Sequence, residues 1–256
     1  MPRFAANLSL MFTEVPFMER FAAAAAQGFE AVEFQFPYEF DANAVRAELD
    51  RLNLALSVFN SPPGNWVSGE RGLAALPGHE AFFRASMDQA LDYARVLGAT
   101  HLHVMAGAAT GVVARETYID NLRCACEKAA ADNVTILIEP LNTRDMPGYH
   151  LTTSDDALEV LEAVAAENLS LQLDLYHCQV MEGDLTRRID RLLPVIGHIQ
   201  VAGVPNRHEP DRGEICYNYL FKHIDELGYT GWIGCEYKPH GRTEDGLGWF
   251  QPYRTR

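Results

Sequence analysis

The chain has 256 residues, 48% of them apolar, and a formal net charge of −14. That length suits one large domain, and roughly 250 residues is the usual size of an α/β barrel. The acidic balance disfavours a nucleic-acid backbone as partner, because phosphate binding needs clustered Lys and Arg, but it leaves room for a small anion held by one or two local cations. Five cysteines, an odd number in a long chain, read as reduced thiols in a cytoplasmic protein rather than as a disulfide framework. No apolar stretch approaches the roughly 20 residues of a membrane span.

Met1 to Phe12 is apolar, but Asn7 interrupts it and Glu14 follows, so it reads as a first strand and not as a secretion signal. From there one cycle recurs: a short apolar run, a polar loop, a helical pattern, then Gly or Asn. The apolar runs are Phe4 to Leu10, Ala31 to Phe36, Leu54 to Asn60, Thr100 to Met105, Val134 to Glu139, Leu169 to Asp174, Gly197 to Ala202 and Trp232 to Glu236. Dividing 256 residues among these eight runs gives 32 each, about one strand–helix module. Between them, Asp41 can cap a helix carrying Val45, Leu49 and Leu52. Phe83, Met87, Ala90, Leu91, Ala94 and Leu97 form an apolar stripe, and Thr153 with Asp156 forms an acidic capping box. Gly28, Gly98 and Gly228, with Asn133 and Asn168, stand where a left-handed residue ends a helix. Near-continuous apolar strands alternating with helices predict a parallel sheet covered by helices, and eight units predict a closed α/β barrel as a single domain over 1–256. Two loops, Ser61 to Gly78 and Val204 to Gly213, exceed plain connectors and are expected to shape the site.

Four segments carry an oxygen donor at the carboxyl end of an apolar run: Ile138-Glu139-Pro140, Asp174-Leu175-Tyr176-His177, His198-Ile199-Gln200 and Cys235-Glu236-Tyr237. In such a barrel the carboxyl ends of the strands form the active face. Glu139, Asp174, Gln200 and Glu236 then form an all-oxygen set suited to a hard divalent cation, Mg²⁺ or Mn²⁺, rather than zinc. Two carboxylates beside such a cation can also move protons. Any one of these acids alone is more often solvated or caps the next helix; four at consecutive strand ends are harder to dismiss. His177, three residues past Asp174, is expected to face the substrate. His101 and His103 alternate on one strand face, where a structural role and a substrate contact are equally compatible with the pattern. Arg144, Arg207 and Lys238 follow strands at the same end and can hold a carboxylate, Arg being the better bidentate partner. Phe12, Phe36, Phe59 and Trp66 can supply apolar walls or core.

Long strings of the chain resemble the hydroxypyruvate isomerase family. They are Ile138 to Asp145 (Ile-Glu-Pro-Leu-Asn-Thr-Arg-Asp), Leu173 to Gln179, His198 to Gly203, Asn206 to Asp211 and Gly231 to Lys238, together with Arg3 to Leu10 and Gly246 to Trp249. That family is one of the xylose-isomerase-like TIM barrels, which also include sugar 3-epimerases and endonuclease IV. The resemblance implies a metal held by Glu139, Asp174, Gln200 and Glu236, with Glu139 and Glu236 exchanging protons with substrate. It implies interconversion of hydroxypyruvate and 2-hydroxy-3-oxopropanoate through an enediolate. From their own positions, Arg207 is the first choice for the substrate carboxylate, and His177 and His103 are candidate substrate contacts. The close relative 2-oxo-tetronate isomerase and the ketose 3-epimerases are the alternatives on the same scaffold. An endonuclease IV-like phosphodiesterase calls for a His-rich, multi-zinc site and a basic face. The expected partner is a small 2-oxo acid or sugar acid, with no nucleic acid and no membrane, and a homo-oligomer is compatible with the family.

Overall fold

The computed structural model describes residues 1–254. Eight parallel strands close in sequence order into a barrel. They are β1 (Arg3–Asn7), β2 (Ala31–Phe34), β3 (Ala55–Asn60), β4 (His101–His103), β5 (Thr135–Ile138), β6 (Leu169–Asp174), β7 (Ile196–Gln200) and β8 (Trp232–Cys235). Helices α1 (Phe17–Ala26), α2 (Ala42–Leu52), α3 (Glu80–Leu97), α4 (Val112–Ala130), α5 (Ser154–Val164), α6 (Leu175–Met181), α7 (Leu185–Leu192) and α8 (Tyr217–Glu226) fill the crossovers. Every predicted strand is present. The first is shorter than its apolar run, because Leu8 to Leu10 turn back, with Met11 N–H donating to Asn7 O at 2.8 Å.

The helix signals act as their chemistry requires. Asp41 accepts from Ala44 N–H at 3.0 Å and starts α2. Thr153 Oγ1 accepts from Asp156 N–H at 3.1 Å and donates to its carboxylate at 2.7 Å, so the box closes side chain to side chain. Gly28, Gly98, Gly228 and Asn133 all take positive φ. After α5, Ala165 takes that conformation instead of Asn168, whose amide donates to Cys126 O and Val134 O and ties α4 to β5. The apolar stripe of α3 is buried along its whole length. The core lies between barrel wall and helix ring, and each fully buried Phe or Leu there, such as Phe21, Phe59, Phe83 and Leu91, contributes about 1.5–3 kcal/mol. Cys126 is buried in that layer while Cys124 is half-buried, and all five cysteines are free thiols. Among the described residues no helix is long and apolar enough to cross a membrane.

Parallel register brings the polar ends to one level. Asp174 aligns with Gln200, and Gln200 with Gly234, one strand across. Gly234 has to lack a side chain: a Cβ there would lie 2.2 Å from the Glu33 carboxylate, which fills the barrel interior beside it.

Candidate active site

A cavity of about 420 Å³ opens at the carboxyl ends of the strands. Glu139, Glu236, His103, His177 and Arg207 all line it, so the two glutamates face one space. Phe36 and Trp66 form part of its apolar wall, their rings 5.4 Å apart. Phe12 and Phe59 are core residues instead. Arg144 is exposed outside the cavity, where it reaches Tyr176 Oη at 3.4 Å. Lys238 lines the rim.

Asp174 ends β6 and does two things. Its Oδ1 accepts from Tyr176 N–H at 2.8 Å and caps α6, while Oδ2 faces Arg207 Nη2 at 3.3 Å and His177 Nε2 at 3.6 Å. Arg207 sits in the left-handed region at φ 56°, and Nη2 also donates to Glu236 Oε2 at 2.5 Å. Its guanidinium is therefore engaged with the protein's own carboxylates. Burial works against its charge, but Glu236, Asp174 and Glu139 outweigh that and raise its pKa. Burial, then Glu236 and Asp174, pushes Glu139 well above the carboxylate range. Burial likewise raises Glu236 against the pull of Arg207, and it lifts Asp174 to about 7.

The histidines are neutral for stated reasons. His177 Nδ1 accepts from the Asn142 N–H at 3.0 Å, so Nε2 carries the proton and points at Asp174. Burial and Arg207 hold its pKa far down. His103 is fully buried, its Nδ1 3.6 Å from Glu139 Oε2, and burial together with His198 drops it to about 3. His101 points away from the site, to the opposite end of the barrel.

Beneath the cavity lies a network for which the residue pattern gave no role. Glu33, in the middle of β2, is 0% exposed and accepts from four donors. These are Asn7 Nδ2 at 2.9 Å, Gln200 Nε2 at 2.7 Å, His198 Nε2 at 2.7 Å and Ser57 Oγ at 3.3 Å. Glu33 Oε1 accepts from the Gln200 Nε2–H and so fixes which end of that amide faces it. The Gln200 oxygen consequently turns the other way, where Gln172 Nε2 meets it at 2.7 Å and also reaches Glu139 Oε2 at 3.0 Å. Glu236 Oε1 is held by Gln35 Nε2 at 3.0 Å. The one signal in the sequence was a glutamate inside an otherwise apolar run, Ala31-Val32-Glu33-Phe34.

The residues present fit a hard divalent cation. Glu139 Oε1, both His103 nitrogens and Gln172 Oε1 are buried without a hydrogen-bond partner. Ligand atoms of Glu139, Asp174 and His177 lie within 4.8 Å of one another. Glu139, Asp174 and Glu236 stand close together in a buried site with the single guanidinium of Arg207 among them, so a divalent cation would find its counter-charge in place. Because His177 Nδ1 is taken by Asn142, that histidine is better placed to donate to Asp174 than to ligate.

Residues 21–253 match the family model of the xylose isomerase-like TIM barrel. The chain belongs to that family. It is 56% identical over 260 residues to the 2-oxo-tetronate isomerase of Cupriavidus necator, covering all of both chains. It is 44% identical to the hydroxypyruvate isomerase of Escherichia coli, over 99% of this chain and 100% of the other. A crystal structure of a protein described as "AP endonuclease, family 2" from Brucella melitensis superposes with TM-score 0.98 at 52% identity, over the full length of both. Within the xylose isomerase-like family, this chain is an isomerase.

Proposed function

We propose that the protein is a divalent-metal-dependent isomerase that moves a carbonyl between C2 and C3 of a small 2-oxo acid. The preferred substrate is the four-carbon 2-oxo-tetronate, with hydroxypyruvate second. The higher identity to a 2-oxo-tetronate isomerase supports that order, reversing the preference drawn from the sequence strings. Two buried glutamates, Glu139 and Glu236, facing one cavity is the observation that carries the reading.

Glu139, Asp174, Gln200 and Glu236 would hold Mg²⁺ or Mn²⁺. When bound, the cation supplies Lewis acidity that polarises the carbonyl and offsets enediolate charge. The chain's part is proton transfer. One of Glu139 and Glu236 takes the C3 proton and the other delivers a proton to C2, while the hydroxyl proton passes from O3 to O2 and the formula is unchanged. His177 and His103, both neutral, polarise oxygens without adding charge. The walls from Phe36, Leu141 and Met146 limit water around the carbanion-like centre.

The endonuclease description of the Brucella relative finds less support here. The net charge of −14 opposes a polyanion, and a single histidine joins the acidic cluster. Proton NMR in D₂O with Mg²⁺ or Mn²⁺ tests the proposal on 2-oxo-tetronate, hydroxypyruvate and a ketotetrose. The expected result is deuterium at C2 of the isomer that forms and, through return of the enediolate, at C3 of the 2-oxo acid. An absence of both exchange and isomerisation in every acid would refute it.

A further inference from the structure

Three cations line the cavity: Arg71, Arg207 and Lys238. Arg207 is bound to Glu236 and Asp174, and so balances charge that belongs to the protein. A substrate carboxylate entering an acidic site needs a different partner. Among the described residues Arg71 pairs with no carboxylate. Its Nη1 donates to the carbonyls of Trp66 at 2.9 Å and Glu70 at 2.8 Å, which leaves Nη2 and Nε for a ligand. The guanidinium carbon lies over the Trp66 ring, 3.9 Å from its centroid, so a cation–π contact holds it beside the cavity that both residues line.

The loop that carries it is anchored. Asn65 caps the short 3₁₀ turn Trp66–Ser68, and the Glu70 carboxylate accepts from the Asn65 N–H. Gly72 follows at φ +120° and forms a bridge with Ala106, just beyond β4; a Cβ on it would lie 2.4 Å from Met105 O. Arg71 is thus one residue from a fixed contact with the barrel wall. We propose that Arg71, stacked on Trp66, is the residue that binds the substrate carboxylate and sets the preference for 2-oxo acids over neutral ketoses. This rests on the isomerase reading, but the carboxylate site can be tested separately. Lys238 is an exposed point charge at the rim and lacks the planar fork that two carboxylate oxygens match.

The test uses the Mn²⁺-loaded enzyme and the variants Arg71→Gln, Arg71→Lys and Lys238→Gln. Arg71→Gln should raise KM for 2-oxo-tetronate about 100-fold with kcat nearly kept, and leave kcat/KM for a neutral ketotetrose unchanged. Arg71→Lys, which keeps the charge and loses the fork, should recover part of the loss. Calorimetric titration with glycerate, which cannot isomerise, and with its neutral counterpart glycerol gives a readout independent of turnover. Glycerate binding should weaken about 100-fold in Arg71→Gln. If wild type turns over no 2-oxo acid while glycerate binding still depends on Arg71, the isomerase reading fails and the carboxylate site stands. Wild-type glycerate affinity or KM in a folded Arg71→Gln protein, or the whole loss appearing in Lys238→Gln instead, would overturn the assignment.

Discussion

Both ends of this barrel are hollow. The cavity at the carboxyl ends of the strands measures about 420 Å³, and another at the amino ends, lined by Arg3, Arg46, His101 and His198, about 470 Å³. Volume therefore does not separate them; the state of their polar groups does. At the amino end Arg3, Arg46 and His198 each have a partner inside the protein. Arg3 donates to Thr230 O and lies 4.4 Å over Trp232, Arg46 pairs with Asp50 and donates to Leu97 O at 2.8 Å, and His198 donates to Glu33 at 2.7 Å. At the carboxyl end, Glu139 Oε1 and both His103 nitrogens are buried with none. Leaving such groups unpaired costs about 1–3 kcal/mol each, so a site that keeps them is built for something that arrives later.

Removing the reacting group gives the sharpest contrast between the two ends. Glu236→Gln keeps shape and the Gln35 contact but cannot carry a proton. Turnover should fall by about 10³-fold or more while the melting temperature stays within a few degrees. Near-normal turnover would remove Glu236 from the chemistry and with it the meaning of the contrast.

Glu33 joins the two ends, touching one through Gln200 and the other through His198. In Glu33→Gln one of the two acceptor oxygens becomes an NH2, so Gln200 and His198 can no longer both donate to it and the hold on the Gln200 amide weakens. Mn²⁺ affinity should drop about 10–100-fold, the usual size of an effect from a group that orients a ligand, with kcat falling in parallel. Ser57→Ala, which removes only the longest of the four contacts, should change neither. Equal Mn²⁺ affinity in wild type and Glu33→Gln would reduce Glu33 to a packing residue.

These two cases show what was legible beforehand. Strand order, barrel closure and the four strand-end donors follow from period, length and position, because each needs only local pattern and the rule that sites sit at carboxyl ends. Glu33, Gln35 and Arg71 were not legible as functional. Their roles depend on contacts with residues far along the chain, such as Gln35 with Glu236 at a separation of 201, which no local spacing encodes. Arg207, expected to hold the substrate carboxylate, lines the cavity but is engaged with the protein's own carboxylates. Its partners, Glu236 and Asp174, emerge only when the loop folds back over β8, with Lys238 N–H donating to Arg207 O at 2.7 Å.

The pH response of the metal-free protein is smaller but has a definite sign. Burial lifts Asp174 from 3.8 to about 7, so between those values the folded state binds more protons than the unfolded one. Stability from this group is present at low pH and lost as pH rises through about 7. In EDTA, wild type should lose more melting temperature from pH 4 to pH 7.5 than Asp174→Asn does, and added Mn²⁺ should remove most of that difference. Identical slopes in the two proteins would mean Asp174 is not the group that feels the missing charge.

The least effect is expected at the amino end, and its smallness is informative. His101 is lowered to about 4 by burial, so it is neutral at working pH, and its Nδ1 meets Thr100 Oγ1 at 3.0 Å. Substituting it removes one local hydrogen bond and no charge. His101→Gln should therefore leave kcat/KM within about twofold and cost roughly 1 kcal/mol or less of stability by denaturant unfolding. His103, two residues on and on the same strand face, predicts the opposite pattern: its nitrogens are free for substrate, so His103→Gln should lower kcat/KM while altering stability little. Comparable kinetic losses from the two substitutions would mean that the barrel ends are coupled along β4, and that unpaired polar atoms alone do not mark where this chain reacts.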